Sequence, residues 1–298
     1  MPRVAVVTAL CLVALGRSAF AGQADLPAVR SRAAAVLDVD TGAEVFAHGA
    51  DEPRAIASTT KIFVAMAVRK KGMDLNGWTE ITRADARAAR GGAKTRLDIG
   101  QSFKNLDLLR AMLMASDNRA PTALGRAAGL EPAQLVAAMN AVAKDLGLTR
   151  TRFTDTSGLH GNVSTAREMA LALRAALADD VLRDVMGTDS VIVKSKSGYE
   201  KIRYGNTDRA LGSKWQVIGG KTGYTESAGY CFVVGAEIAG RPLVMAFLGA
   251  DGKATRFADF ERVADWIDRG APGAKVKVGA RSSRPKPRLS VSARGHAE

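Results

Sequence analysis

Apolar and polar positions alternate along two short runs near the start of the chain, 33–39 and 44–48, on either side of Asp40-Thr41-Gly42. A period of two interrupted by a glycine turn predicts a β-hairpin. The pattern changes at Ser58, where the continuous apolar stretch 62–68 begins to form and then ends in basic residues and Gly72. That is a helix with its stop signal. From Asn105 to about Met186 the chain is rich in Ala and Leu, with apolar positions at helical spacing over 106–115, 118–128, 132–146 and 165–178. Strand-like runs return at 215–218, 230–237 and 243–248, the last two joined by Ala239-Gly240-Arg241-Pro242, and a final helix is expected over 253–268. Strands, then helices, then strands, then a helix predict an α/β fold. An antiparallel sheet built from both chain ends would be flanked by helices, with an all-helical lobe inserted.

The two ends differ from this body. Residues 1–21 read as a secretory signal peptide: Arg3 is followed by an apolar run over 4–16, and Ala19-Phe20-Ala21 offers small residues for cleavage. The apolar run is short for a bilayer span. Residues 22–270 form the folded domain, and residues 271–298 are a basic tail, interrupted by Pro285 and Pro287, that is expected to be disordered. The formal charge of +13 falls to +11 once Arg3 and Arg17 leave with the signal, and about half of it belongs to the tail. For an exported chain the fitting partners of that charge are anionic lipid heads and carboxylate-bearing cell wall, not nucleic acid. Localisation is therefore expected to be periplasmic, soluble or peripherally attached to the membrane. Cys231 is the single cysteine after cleavage, so no intrachain disulfide is expected, and its apolar neighbours predict a buried strand position.

Three short strings carry the chemistry: Ser58-Thr-Thr-Lys61, Ser116-Asp-Asn118 and Lys221-Thr-Gly223. The first arises by accident in roughly one chain of this length, but all three in this order in about one per thousand or fewer. Ser58 and Lys61 are three residues apart at a helix start, so their side chains share a face. A serine hydroxyl needs a base, and a lysine can act as one only when neutral. Bringing its pKa from about 10.4 to 7–8 costs roughly 4 kcal/mol, supplied by burial and a second cation, for which Lys221 is the candidate. The Ser58 backbone N–H at a helix N-terminus suits a developing oxyanion. Ser116 lies between two helices, where it can relay a proton from Lys61 to a leaving amine, and Asn118 can bind a substrate backbone. Lys221 and Thr222 can hold a substrate carboxylate on a sheet edge, and Gly223 leaves room for an extended peptide.

Other hydrolase chemistries lack their residues. There is no G-x-S-x-G elbow, and His48, His160 and His296 have no evident serine partner; His160 reads as loop decoration. No H-E-x-x-H, H-x-x-E-H or paired C-x-x-C occurs, so no metal is expected. No phosphate-cradling glycine motif occurs either, and no cofactor is expected.

The three strings together resemble those of the low-molecular-mass penicillin-binding proteins, the D-alanyl-D-alanine carboxypeptidase and endopeptidase group of serine peptidases. The likeness extends over about 33–268 and includes Phe153-Thr154-Asp155 with Ser157-Gly-Leu159, Ser164-Thr-Ala-Arg167 and Gly220-Lys-Thr-Gly-Tyr-Thr225. Ser116-Asp-Asn-Arg-Ala120 and Gly158-Leu-His-Gly-Asn-Val-Ser-Thr-Ala-Arg167 are similar to the endopeptidase branch. The resemblance implies a β-lactamase/transpeptidase-like fold, peptidoglycan as substrate and β-lactams as covalent inhibitors. It also implies that the backbone N–H of Tyr224 completes an oxyanion hole with that of Ser58. A DD-carboxypeptidase trimming pentapeptides would use the same residues, and a catalytically weak wall-binding or β-lactam-sensing protein is the alternative from a different class. Class A β-lactamases share the strings but need a deacylating glutamate in E-x-x-L-N, which does not occur here.

Overall fold

Residues 26–93 and 95–270 are described by the structure, a computed structural model. The signal over 1–21 and the tail over 271–298 lie outside the described residues. The chain enters through β1 (Ala33–Asp38), β2 (Glu44–His48) and β3 (Arg54–Ala55), then a 3-10 turn, Ala57–Thr60, that runs directly into α1 (Lys61–Lys70). β4 (Trp78–Glu80), α2 (Arg83–Ala88) and β5 (Ser102–Lys104) precede α3 (Asn105–Ala115), α4 (Ala120–Ala127) and α5 (Pro132–Asp145). β6 (Val163–Ser164), α6 (Ala166–Leu177) and α7 (Asp180–Gly187) lead to the hairpin of β7 (Ser190–Lys194) and β8 (Lys201–Gly205). A second 3-10 turn, Arg209–Gly212, precedes β9 (Gln216–Thr225), β10 (Gly229–Ile238), β11 (Arg241–Ala250) and α8 (Thr255–Asp268).

Five strands form the main sheet in the order β2-β1-β11-β10-β9, with every pairing antiparallel. Both chain ends build it, as the pattern of the sequence predicts. The sheet is apolar on both faces, and period two sorts its side chains into two cores. Ala33, Ala35 and Leu37 of β1 join the core shared with α1, α3 and α6, while Ala34 and Val36 join Phe260, Val263 and Ile267 of α8. On the α8 side the Phe232 ring is fully buried, with centroids 4.9 Å from Phe257 and 6.2 Å from Phe260. Burying one such ring contributes about 2–3 kcal/mol.

Three local features depart from the sequence expectations. Ser58 is not the first residue of an α-helix: it sits in the 3-10 turn before α1, entered through Ala57 at φ 47°. The strand expected over 215–218 continues to Thr225, so the whole Lys221-Thr-Gly223 string lies on β9. The β7–β8 hairpin and α7 add structure between the helical lobe and β9. What this arrangement does for function is simple. β9 is the outermost strand of the sheet, and its free edge faces the turn that carries Ser58.

Candidate active site

The Ser58 turn is pinned from two sides. Behind it, Gly158 at φ 81° lies so close that a Cβ there would fall 1.8 Å from the Ala57 carbonyl oxygen. Only glycine fits such a contact and such a φ. The loop carrying Gly158 is itself tied down by Asp155, which accepts hydrogen bonds from the backbone N–H groups of Ser157 (2.7 Å), Gly158 (2.6 Å) and His160. Asn162 Nδ2 donates to Thr60 Oγ1 at 3.1 Å and joins that loop to the turn. In front, Gly223 of β9 approaches so closely that a Cβ would meet the Ser58 backbone nitrogen at 2.9 Å.

Lys61 is the hub. Its ammonium nitrogen donates to Ser58 Oγ at 2.8 Å, Ser116 Oγ at 3.2 Å and Asn118 Oδ1 at 2.5 Å, and the side chain is fully buried. Ser116 caps α3 in the left-handed region at φ 61°, which turns its hydroxyl out of the helix and toward Lys61. Ser58 Oγ also lies 3.4 Å from the Ser157 carbonyl oxygen. Lys221 is buried and donates to the Thr222 carbonyl at 2.8 Å, while Thr222 Oγ1 donates to Thr207 Oγ1 at 2.8 Å. Tyr224 is half-exposed, its ring stacked on Tyr230 at 4.3 Å. The sequence-predicted residues Ser58, Lys61, Ser116, Asn118, Lys221, Thr222, Gly223 and Tyr224 therefore converge where β9 meets the turn.

Burial brings the Lys61 amine down to about 7, with the carboxylates of Asp117 and Asp155 pulling it partly back up. Burial is the main cause of the drop at Lys61. Lys221 is buried close by and interacts with it, and burial, then Lys61 and Arg256, drives the Lys221 amine well below its ordinary value. A neutral lysine in contact with two hydroxyls can accept a proton from one and pass it to the other.

Residues 20–252 match the family described as D-alanyl-D-alanine carboxypeptidase. The chain belongs to that family. It is 29% identical over 259 residues to the D-alanyl-D-alanine endopeptidase of Escherichia coli K12, covering 86% of this chain and 83% of that one. It is 32% identical over 242 residues to the D-alanyl-D-alanine endopeptidase of Pseudomonas aeruginosa, covering 80% and 78%. The solved structure of D-alanyl-D-alanine carboxypeptidase from Mycobacterium tuberculosis is similar at a TM-score of 0.77 and 30% identity, covering 86% of this chain and 97% of that one.

Several site residues of this D-alanyl-D-alanine carboxypeptidase family member escape the motif reading. Arg256 of α8 is buried beneath the sheet, and its Nη1 donates to the carbonyls of Gly223 at 2.7 Å and Cys231 at 3.0 Å. Burial lowers it to about 10. A signal was available, because Arg256 shares a helical face with Phe260, Val263 and Ile267, where an arginine is out of place unless it has partners. Asp208 is buried near Lys221 and Arg256; burial raises it to about 7, and its Oδ2 has no hydrogen-bond partner among the described residues. Asp117 accepts from the backbone N–H groups of Arg96 (2.9 Å) and Arg119 (3.0 Å) and from the Tyr204 hydroxyl (3.2 Å), which fixes the loop carrying Ser116 and Asn118. Cys231 is fully buried in β10 as expected, and burial pushes its thiol up to about 11, so it is a poor nucleophile. His160 meets Asp155 through its backbone N–H.

Proposed function

We propose that this protein is an exported serine DD-peptidase that cleaves D-alanyl bonds in peptidoglycan, and that it acts as an endopeptidase on cross-links. One observation carries the proposal: a fully buried lysine amine, lowered to about 7, in hydrogen-bond contact with both Ser58 and Ser116. Neutral Lys61 takes the Ser58 proton as Oγ attacks the D-alanyl carbonyl. The oxyanion is held by the N–H groups of Ser58 and Tyr224, and Gly223 keeps β9 close enough to Ser58 for the two to form one hole. Asn118 binds the substrate backbone. Lys221 and Thr222 hold its carboxylate, which restores the proton that burial disfavours on Lys221. Collapse of the tetrahedral intermediate expels the amine, protonated through Ser116 from Lys61, and water then releases the acyl group from Ser58. β-Lactams enter the same path and stop at the acyl-enzyme. The endopeptidase assignment rests on the names of the Escherichia coli and Pseudomonas aeruginosa relatives and on the strings 116–120 and 158–167.

The domain runs over 22–270, after a signal removed at Ala21, and the protein works in the periplasm. Among the described residues no helix is long and apolar enough to cross a membrane. The basic tail serves as a weak electrostatic tether to membrane or wall. Digesting a purified cross-linked muropeptide dimer, and separately a pentapeptide monomer, tests the activity. An endopeptidase cleaves the dimer faster. Cleavage of the monomer alone makes it a carboxypeptidase, and cleavage of neither makes it a binding protein.

A further inference from the structure

β4 and β5 form a two-stranded ribbon beside α3 and α4, in the register Trp78↔Lys104, Thr79↔Phe103 and Glu80↔Ser102. Period two puts Thr79 and the buried Phe103 on its inner face and Trp78 and Glu80 on its outer one. Trp78 is 41% exposed. The ammonium groups of Lys104 and Lys196 lie 5.8 and 6.0 Å from its ring centroid, the outer limit of a cation–π contact, so they orient the indole without covering it. None of these residues takes part in the acylation chemistry above.

Along the ribbon runs a cavity of about 500 Å³ whose lining includes Asp74, Trp78, Thr79, Glu80, Asn105 and Arg126, a size that suits a small ligand. Its floor is fixed by side chains. Thr79 Oγ1 donates to Asn105 Oδ1 at 2.7 Å, and Asn105 Nδ2 donates to the Asp74 carbonyl at 2.7 Å. Gly77 closes over this pair, since a Cβ there would meet Asn105 Nδ2 at 2.8 Å. Arg126 donates from its two terminal nitrogens to Asp85 Oδ1 and to the Glu80 carbonyl, both at 2.6 Å. The groups left open are acceptors. Asp74 Oδ1 accepts from the Asn76 N–H at 2.9 Å, whereas among the described residues Asp74 Oδ2 and the Glu80 carboxylate accept from no donor.

An exposed indole beside open carboxylates matches the chemistry of an amino sugar. The C–H bonds on the flat side of a pyranose ring meet the negative face of the indole, and its hydroxyl and acetamido N–H groups donate to carboxylates. An anionic lipid head would instead meet Asp74 and Glu80 as like charges. Asn105 lines the cavity and is the first residue of α3, whose C-cap is Ser116. The 11 residues of α3, at 1.5 Å each, put the cavity about 16 Å from the loop that carries Ser116, so a chain held there leaves the cleft open. We propose that this cavity binds the glycan strand of the wall, a proposal that rests on the peptidoglycan reading above. One amino sugar stacks on Trp78, and Asp74 and Glu80 accept from its hydroxyl and amide groups.

The full-length protein carrying Ser58→Ala, which cannot cleave what it binds, is titrated with a neutral tetramer of N-acetylglucosamine and with glycan strands stripped of their stem peptides. Salt of roughly 0.5 M screens the basic tail. Both probes are expected to bind, and the tetramer to shift the tryptophan emission. Adding Trp78→Leu, which keeps an apolar side chain but no ring, should weaken both by about tenfold, while Trp78→Tyr stays within about threefold of the parent. Glu80 is exposed, so Glu80→Ala folds even if Trp78→Leu does not, and it should weaken binding about threefold. No binding of either sugar, or equal binding with and without the indole, overturns the site. Binding to phosphatidylglycerol vesicles that needs Trp78, with no binding of the tetramer, makes the patch a lipid contact and overturns it as well. Penicillin labelling of the wild-type protein separates the two readings. Label on Ser58 without sugar binding removes the glycan site alone, and absence of label removes the DD-peptidase reading and this proposal with it.

Discussion

Replacing Lys61 by methionine should make the protein inactive and, near neutral pH, more stable. Burial lowers the folded amine from 10.5 to about 7. Below pH 7 the amine is charged in both folded and unfolded chains, and the folded state carries the full desolvation penalty of the charge. Between about 7 and 10.5 the unfolded chain binds the proton and the folded one does not, so wild-type stability rises with pH. Above 10.5 the penalty is gone. At 1.36 kcal/mol per pKa unit the whole swing is about 5 kcal/mol, and between pH 6 and 10.5 about 4 kcal/mol of it is covered. Methionine has no charge to desolvate, but it leaves Ser58 Oγ, Ser116 Oγ and Asn118 Oδ1 without the amine they now contact. Three lost hydrogen bonds cost about 2–3 kcal/mol together. The variant should therefore be about 2 kcal/mol more stable than wild type at pH 6 and less stable at pH 10.5. Urea unfolding of both proteins at half-unit steps of pH measures the difference, in which the titrating groups that do not interact with Lys61 cancel. A difference that stays flat across this range would mean that Lys61 remains a cation in the fold, and the role of neutral base would be lost with it.

Gly223→Ala should cut the rate of penicillin acylation by roughly 10–1000-fold and lower stability by about 1–3 kcal/mol, because the new Cβ meets the Ser58 backbone nitrogen at 2.9 Å; unaltered acylation kinetics would show that β9 has room to spare. Gly158→Ala should instead lower stability by about 2–4 kcal/mol, since its Cβ would sit 1.8 Å from the Ala57 carbonyl at φ 81°, and a melting curve that does not move would contradict that packing. Removing residues 271–298 should abolish salt-sensitive sedimentation with anionic vesicles or sacculi and leave turnover of small substrates intact, whereas equal binding by the truncated protein, or binding that persists at roughly 0.5 M salt, would rule out an electrostatic tether.

The residues at the centre of the site were legible in the sequence because each belongs to a short string whose spacing implies its geometry. Ser58 and Lys61 meet because they are one turn apart, and Ser116 and Asn118 reach Lys61 because α3 ends just before them, with Ser116 as its C-cap. The strand that carries Lys221 was legible only in part. Gly219 and Gly220 interrupt the β-branched pattern, although the backbone runs on through them and pairs with Gly235 and Val234. Arg256 and Asp208 were missed for a different reason. They reach the site through tertiary packing, from segments with no motif of their own, and the part played by the Ser157 carbonyl is set by its backbone position, which its string does not specify. The 3-10 turn at Ser58 was also hidden, since a positive φ at Ala57 is imposed by the contact with Gly158, 101 positions away, and not by local propensity. The β7–β8 hairpin does have a signal of its own, the β-branched run Val191-Ile192-Val193 and the alternation of Ile202 and Tyr204 with Lys201 and Arg203.

The most direct test is to quench the protein at short times with a labelled penicillin, between pH 5 and 10, and locate the label by mass spectrometry. One adduct per chain is expected, on the peptide that carries Ser58, forming at a rate that rises with pH through an apparent pKa near 7, the value to which burial brings Lys61. Ser58→Ala should take no label, and Lys61→Arg, which keeps the charge but cannot give up its proton, should be labelled less than about a tenth as fast. Label on any residue other than Ser58, or a Lys61→Arg variant acylated at the wild-type rate, would contradict the serine–lysine mechanism.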